Sequence, residues 1–260
     1  MKLATLSDGG VLPFGQAALY DGFFATTEAD QLFEELERDI DWGQEYLTIY
    51  GKKIPFPRKT AWYGDPGCEY SYSGITMMPH PWIPPLMTIK ERVETAAQAQ
   101  LKKEITFNSV LLNLYRDGTD SMSWHSDDEP ELGRNPVIAS VSLGATRPFH
   151  LRYKFNSQYR AQMELTHGSL LLMSGPLQHG WQHQIPKTKK PISPRINLTF
   201  RTIIDREIPR HIGESTADYL PLMVALDPEN AESFPTEEAV NAALCSLLFA
   251  PPARKRRKSS

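Results

Sequence analysis

Apolar positions recur with a helical period in two places in the first half of the chain. Leu32, Phe33, Leu36 and Ile40 follow Thr27-Glu28-Ala29-Asp30, a run that resembles a capping box with Asp in place of Glu, and they predict a helix near 27–40. Pro84 and Pro85 open a second such stretch, in which Leu86, Ile89, Val93 and Ala97 form one stripe and predict a helix to about residue 101. From Phe107 the texture changes to short β-type runs broken by turn residues, at 107–115, 137–143, 148–155, 164–173, 182–185 and 196–203. Spacing this regular predicts a sandwich or barrel, with the two helices as a supporting layer.

The stretch between residues 46 and 82 is dense in Gly, Pro, Tyr and Trp, too irregular for a packed element and too aromatic for a disordered linker. It reads as loops over one mouth of the sheet. After Arg206 the pattern weakens, with acids and prolines through 212–235 and one further helix predicted at 237–249. Five basic residues at 254–258 form a solvated tail that fits a nuclear-import signal, an extra DNA contact or an end with neither role, with nuclear import the expectation kept. The expected organisation is therefore a main domain at 1–206, with the loops at 46–82 over one mouth of its sheet, and an extension at 207–260.

Composition changes this picture little. The 260 residues, 40% hydrophobic, suffice for one sizeable core, and a formal net charge of -3 neither demands nor excludes nucleic acid. Only Cys68 and Cys245 are present, in no close pairing, which argues against a disulfide framework or a thiolate zinc site. No run approaches the roughly 18 apolar residues of a membrane span, and the start lacks a positive segment leading into an apolar one. A soluble intracellular monomer is expected.

Candidate chemistry begins at Trp124-His125-Ser126-Asp127, where residues two apart project to the same side of an extended chain. Two histidines and one carboxylate on a face of an octahedron leave three positions open, the arrangement that suits Fe(II) activation of O2. His167, His179 and His183 all lie downstream, and His183 is followed within a dozen residues by the strand Arg195-Ile196-Asn197-Leu198-Thr199-Phe200-Arg201. Alternation sets Arg195, Asn197, Thr199 and Arg201 on one face and the apolar residues on the other. An inward face with two guanidinium groups is costly unless anions pair with them, and a dicarboxylate would meet that need.

Read together, Asn113-Leu114-Tyr115-Arg116-Asp117-Gly118, His125-x-Asp127-Asp128-Glu129, His183 and the 195–201 strand resemble the AlkB family of oxidative nucleic-acid demethylases. The resemblance spans about residues 20–204, includes Pro57-Arg58-Lys59-Thr60 and Tyr63-Gly64-Asp65, and is closest to the animal branch that repairs duplex DNA. It implies an α+β fold, a double-stranded β-helix or jelly roll, whose open end binds Fe(II) through His125, Asp127 and His183. It also implies 2-oxoglutarate among Asn113, Tyr115, Arg195, Asn197, Thr199 and Arg201, with Arg195 or Arg201 pairing with its distal carboxylate. The expected reaction uses O2 and 2-oxoglutarate to oxidise an N-methyl group of 1-methyladenine or 3-methylcytosine in DNA, leaving succinate, CO2 and formaldehyde. RNA is the alternative substrate.

Such lesions lie on the pairing edge, so the base must come from a single strand or be turned out of a duplex. By the resemblance, Tyr72 is the stacking residue, Tyr70 and Ser73 are polar contacts, and Asp128 and Glu129 bind the damaged base or its neighbours. Tyr50 takes the place of an aromatic finger that fills the gap left by the extruded base, with Tyr where the family pattern has Phe. Lys52, Lys53, Arg58 and Lys59 surround these loops and are expected on phosphates.

Overall fold

The computed structural model describes residues 4–5, 11–12, 15–49, 52–72, 75–155 and 159–204, those at 4–5, 11–12, 47–49, 70–72 and 75–77 by their backbone only. In chain order the elements are β1 (Ala4–Thr5), β2 (Val11–Leu12), β3 (Gly15–Tyr20), α1 (Thr26–Asp39), β4 (Tyr46–Ile49), β5 (Lys52–Pro55) and β6 (Lys59–Gly64). There follow β7 (Tyr70–Tyr72), β8 (Ile75–Met77), α2 (Pro84–Leu101), β9 (Ser109–Tyr115), β10 (Met122–His125), β11 (Ile138–Gly144) and β12 (Arg147–Tyr153). β13 (Arg160–Leu165), β14 (Ser169–Ser174), the short α3 (Leu177–Gly180), β15 (Trp181–Ile185) and β16 (Arg195–Arg201) complete the described part. The expected helix at 237–249 and the basic tail at 254–258 lie outside the described residues.

Two sheets form the jelly roll. The larger runs β2-β3-β14-β11-β16-β9-β6, antiparallel throughout, and the smaller runs β1-β13-β12-β15-β10, antiparallel except for β1 against β13. On one face of the larger sheet Ile196, Leu198 and Phe200 join Val110, Leu112, Val141 and Leu170, and the stripes of α1 and α2 cover them. Leu86, Ile89, Val93 and Ala97 are fully buried there, as their helical spacing predicts. Removing each large one from water contributes about 1.5–3 kcal/mol. The opposite face of the same strands carries Arg195, Asn197, Thr199 and Arg201, turned toward the smaller sheet.

Three expectations need correction. α1 begins at Thr26 after Ala25, without a side-chain cap, so no capping box forms; Glu28 instead pairs with Arg92 of α2, and Asp30 lies 3.2 Å from His167. The expected strand at 164–173 is two strands, β13 and β14, divided by a turn at Gly168. That glycine has φ +73°, and a Cβ there would lie 2.6 Å from the Phe24 carbonyl oxygen, so a side chain is excluded on two counts. The region 46–82 is more than loops. β6 is a buried edge strand of the larger sheet, with Ala61 opposite Leu112, and two hairpins, β4-β5 and β7-β8, flank it.

Candidate metal centre and cosubstrate pocket

Antiparallel register assembles the metal-ligand group. His125 at the end of β10 stands directly opposite His183 in β15, and opposite residues project to one face with their side chains in contact. Their rings are 4.2 Å apart between centroids. Asp127, two residues on, brings Oδ1 to 4.0 Å from His125 Nε2 and Oδ2 to 3.8 Å from His183 Nε2. Among the described residues, this is the cluster of three or more His, Cys, Asp or Glu side chains able to share a metal ion, with ligand atoms all within 4.8 Å.

The surroundings suit these groups to ligation. His125 Nδ1 lies 2.9 Å from the Ser123 carbonyl oxygen, so Nδ1–H donates there and the Nε2 lone pair faces Asp127 and His183. Phe149 stacks on His183 at 5.1 Å. Burial, then the neighbouring His125, pushes His183 down to about 3, and burial also lowers His125, so both rings are neutral, as a metal ligand must be. Burial alone would raise the Asp127 carboxyl. Arg201, His183 and His125 outweigh it and hold the group below the usual carboxylate range.

Arg201 and Arg195 sit on one strand face but do different things. Arg201 Nη2 donates to Asp127 Oδ1 at 2.6 Å, so its charge already has a carboxylate partner. Arg195 Nη2 donates to Ser142 Oγ at 2.8 Å, while its Nε and Nη1 are buried without a hydrogen-bond partner. Burial lowers this guanidinium to about 10, against the opposing effect of the Tyr115 oxygen. A buried cation with two idle donors calls for an anion with paired oxygens. The pocket between the sheets is lined by Asn113, Tyr115, Arg195, Asn197, Thr199 and Arg201 on one side and His125, Asp127, Phe149 and His183 on the other, so the ligand group and the idle donors of Arg195 face one space. Both a divalent metal and a dicarboxylate therefore fit the residues present.

The expected substrate contacts are placed less evenly. Asp128 pairs with Lys154 at 2.9 Å, and Glu129 is half-buried before the turn at Pro130–Leu132. Tyr70 and Tyr72 fall on β7, described by its backbone alone, and Tyr50 and Ser73 lie outside the described residues. Lys52 and Lys53 are exposed on β5. Arg58 departs from the expected phosphate contact: it is 3% exposed, stacks on Phe56 at 5.1 Å, and donates from Nε to Asn113 Oδ1 at 2.8 Å. Its charge supports a pocket residue instead of facing outward.

Some residues at the site are not legible from motifs. Gln178 of α3 is buried, and its Oε1 accepts from the Asp127 backbone N–H at 3.0 Å, tying one ligand to the turn that leads into the strand of another. Ser140 and Ser142 of β11 accept from Asn197 and Arg195. The β11 alternation, read against that of β16, is the one sequence signal that pairs them.

Residues 16–201 match the family model for the 2OG-Fe(II) oxygenase superfamily. The chain is 46% identical over 208 residues to the mouse protein "Alpha-ketoglutarate-dependent dioxygenase alkB homolog 3", covering 76% of this chain and 69% of that one. To the human "DNA oxidative demethylase ALKBH2" it is 41% identical over 196 residues, covering 71% and 72% respectively. The solved structure of OsALKBH1 superposes with a TM-score of 0.54 at 19% identity, over 74% of this chain and all of that one, a likeness of fold. The cofactors that go with this match are Fe(II), 2-oxoglutarate and O2, and the fold, the three-residue ligand group and the buried Arg195 agree with it. The chain belongs to the 2OG-Fe(II) oxygenase superfamily and, within it, to the AlkB homologues, as a dioxygenase.

Proposed function

We propose that this dioxygenase removes N-linked methyl and other small alkyl groups from nucleobases, acting on 1-methyladenine and 3-methylcytosine in DNA. The observation that carries the reading is a His125-Asp127-His183 ligand group facing, in one pocket of an AlkB homologue, a buried Arg195 with two idle donors. Printed names of relatives at about this identity, "DNA oxidative demethylase" among them, support nucleic acid as the substrate class.

Iron and 2-oxoglutarate, when bound, supply with O2 the oxidation of the N-methyl carbon, with succinate and CO2 as co-products and formaldehyde released from the hydroxymethyl product. The protein holds and orients. His125 and His183 offer neutral Nε2 lone pairs, and Asp127 offers a carboxylate that Arg201 keeps ionised. Arg195 takes the distal carboxylate of 2-oxoglutarate, since Arg201 is engaged by Asp127; Asn113, Tyr115, Asn197 and Thr199 line its path. Leu111, Met122, Leu165, Met173 and Ile185 add apolar wall that excludes water. Tyr50, Tyr70, Tyr72, Ser73, Asp128 and Glu129 are the proposed base contacts. The catalytic unit is taken as residues 1–206, and the basic run at 254–258 supports nuclear import.

RNA presents the same base edge, so one assay decides between the polymers. Matched single-stranded DNA, duplex DNA and RNA oligonucleotides carrying one 1-methyladenine compete for the enzyme with Fe(II) and 2-oxoglutarate. Faster loss of the methyl group from DNA is expected. Faster turnover of RNA would move the assignment to RNA, and none on any oligonucleotide would remove nucleic acid as substrate.

A further inference from the structure

Another buried guanidinium lies beside that of Arg195 and has no part in the site as described above. Arg147, the first residue of β12, is 1% exposed. Its carbon Cζ lies 5.6 Å from the Tyr115 ring centroid, and Cζ of Arg195 lies 5.2 Å from the same centroid. One tyrosine of the cosubstrate pocket is therefore shared by two buried cations, one from each sheet.

The immediate partners of Arg147 are neutral. Its Nη2 donates to the carbonyl oxygens of Asp120, at 2.9 Å, and Pro186, at 2.7 Å; Nη1 reaches that of Asp117 at 3.4 Å, and Nε has no partner. The nearby carboxylates are committed elsewhere: Asp120 holds Arg116 with both oxygens, and Asp117 accepts from Thr119. Among the described residues, neither Arg147 nor Arg195 has a carboxylate within ion-pairing distance, in contrast to Arg201. Carbonyl dipoles and a ring face satisfy donors without cancelling the charge.

Like charges buried around one ring repel, and Arg147 does lower the basicity of Arg195; at Arg147 itself burial lowers the basicity, and Tyr115, Asp120 and Asp117 offset part of that through space. Three carbonyl contacts could staple loops 116–121 and 186 without any such repulsion if a neutral donor were used. What a second charge adds is a positive potential where the far carboxylate of the cosubstrate arrives, in a region too dry to screen it.

We propose that Arg147 is a specificity-determining residue for the cosubstrate: acting through Tyr115 and without touching the ligand, its charge makes the pocket select a dicarboxylic over a monocarboxylic 2-oxo acid. This rests on the reading of the pocket as the 2-oxoglutarate site. With Arg195 alone, the pocket has one cation not engaged by a carboxylate of the protein to meet one distal carboxylate. With Arg147 behind the ring, entry of that carboxylate relieves a repulsion between two guanidinium groups as well as filling the idle donors.

Calorimetric titration of the Mn(II)-loaded full chain with 2-oxoglutarate and with 2-oxopentanoate, which lacks the distal carboxylate, tests this without turnover. In Arg147→Met the 2-oxoglutarate Kd rises about ten-fold, the size of a unit charge acting across roughly 10 Å at an effective dielectric constant of about 20, while that of 2-oxopentanoate changes less than about two-fold. Arg147→Lys keeps the charge but cannot reach three carbonyls at once, and it retains 2-oxoglutarate binding within about three-fold. The lysine variant decides the matter alone if the methionine variant does not fold. Parallel weakening of both ligands, or a lysine variant as weak as the methionine one, would reduce Arg147 to a loop staple. Failure of the unaltered protein to bind 2-oxoglutarate would instead overturn the pocket assignment itself.

Discussion

Arg195 and Arg201 lie three steps apart in the same period-two alternation, yet their environments predict opposite responses to the same substitution. Arg201→Met leaves the Asp127 carboxylate buried without its partner, a loss of about 3–5 kcal/mol in the metal-free protein. Arg195→Met removes a buried cation that lacks a counter-ion, so metal-free stability is unchanged or raised. The price appears in cosubstrate binding, where losing a charge-assisted pair of hydrogen bonds costs about 2–3 kcal/mol and raises the 2-oxoglutarate KM some 30- to 150-fold. Chemical denaturation and steady-state kinetics on the two variants check both signs. Equal destabilisation by the two substitutions would contradict the division of labour between the arginines. The sequence could show that both face inward, because period-two alternation is local; it could not show that Asp127 claims one of them, because that contact spans 74 positions.

Elements were legible where a face is continuous. The stripe Leu86, Ile89, Val93 and Ala97 defines α2 almost to the residue, because each position meets the same sheet. β6 was not legible, since Lys59-Thr60-Ala61-Trp62-Tyr63-Gly64 is buried on both faces and shows no alternation. The break at Gly168 was hidden for a different reason: a turn only three residues long separates the alternating, half-polar β13 from the apolar β14, too short an interruption to mark two strands. The layers also make a separable prediction. Ile89→Ala empties part of the α2–sheet core and should lower unfolding free energy by about 2–5 kcal/mol, while leaving the 2-oxoglutarate KM within about two-fold, because the pocket lies on the other side of the larger sheet. A large KM change would mean that helix packing sets the pocket geometry.

For the molecule as a whole, the neutral buried histidines couple stability to pH. His183 stays unprotonated to about 3 when folded, whereas its imidazole in the unfolded chain takes up a proton near its ordinary value of 6.5. The unfolded chain thus binds more protons between those values, and the metal-free protein should lose stability as pH falls below 6.5, by about 2 kcal/mol at pH 5, with no such effect above 7. His125 adds in the same sense, and the lowered Asp127 carboxyl adds to the loss only at more acid pH. Denaturant unfolding at pH 7 and pH 5 reads the difference; equal stability would contradict neutral burial of the pair. The most direct test of the account as a whole is product stoichiometry on an oligonucleotide bearing 1-methyladenine. One formaldehyde and one succinate should appear per adenine restored, only with Fe(II) and 2-oxoglutarate present, and both should vanish in His125→Ala. Succinate without restored adenine, or demethylation that survives loss of His125, would contradict the claim that this metal face drives oxidative repair of a nucleobase.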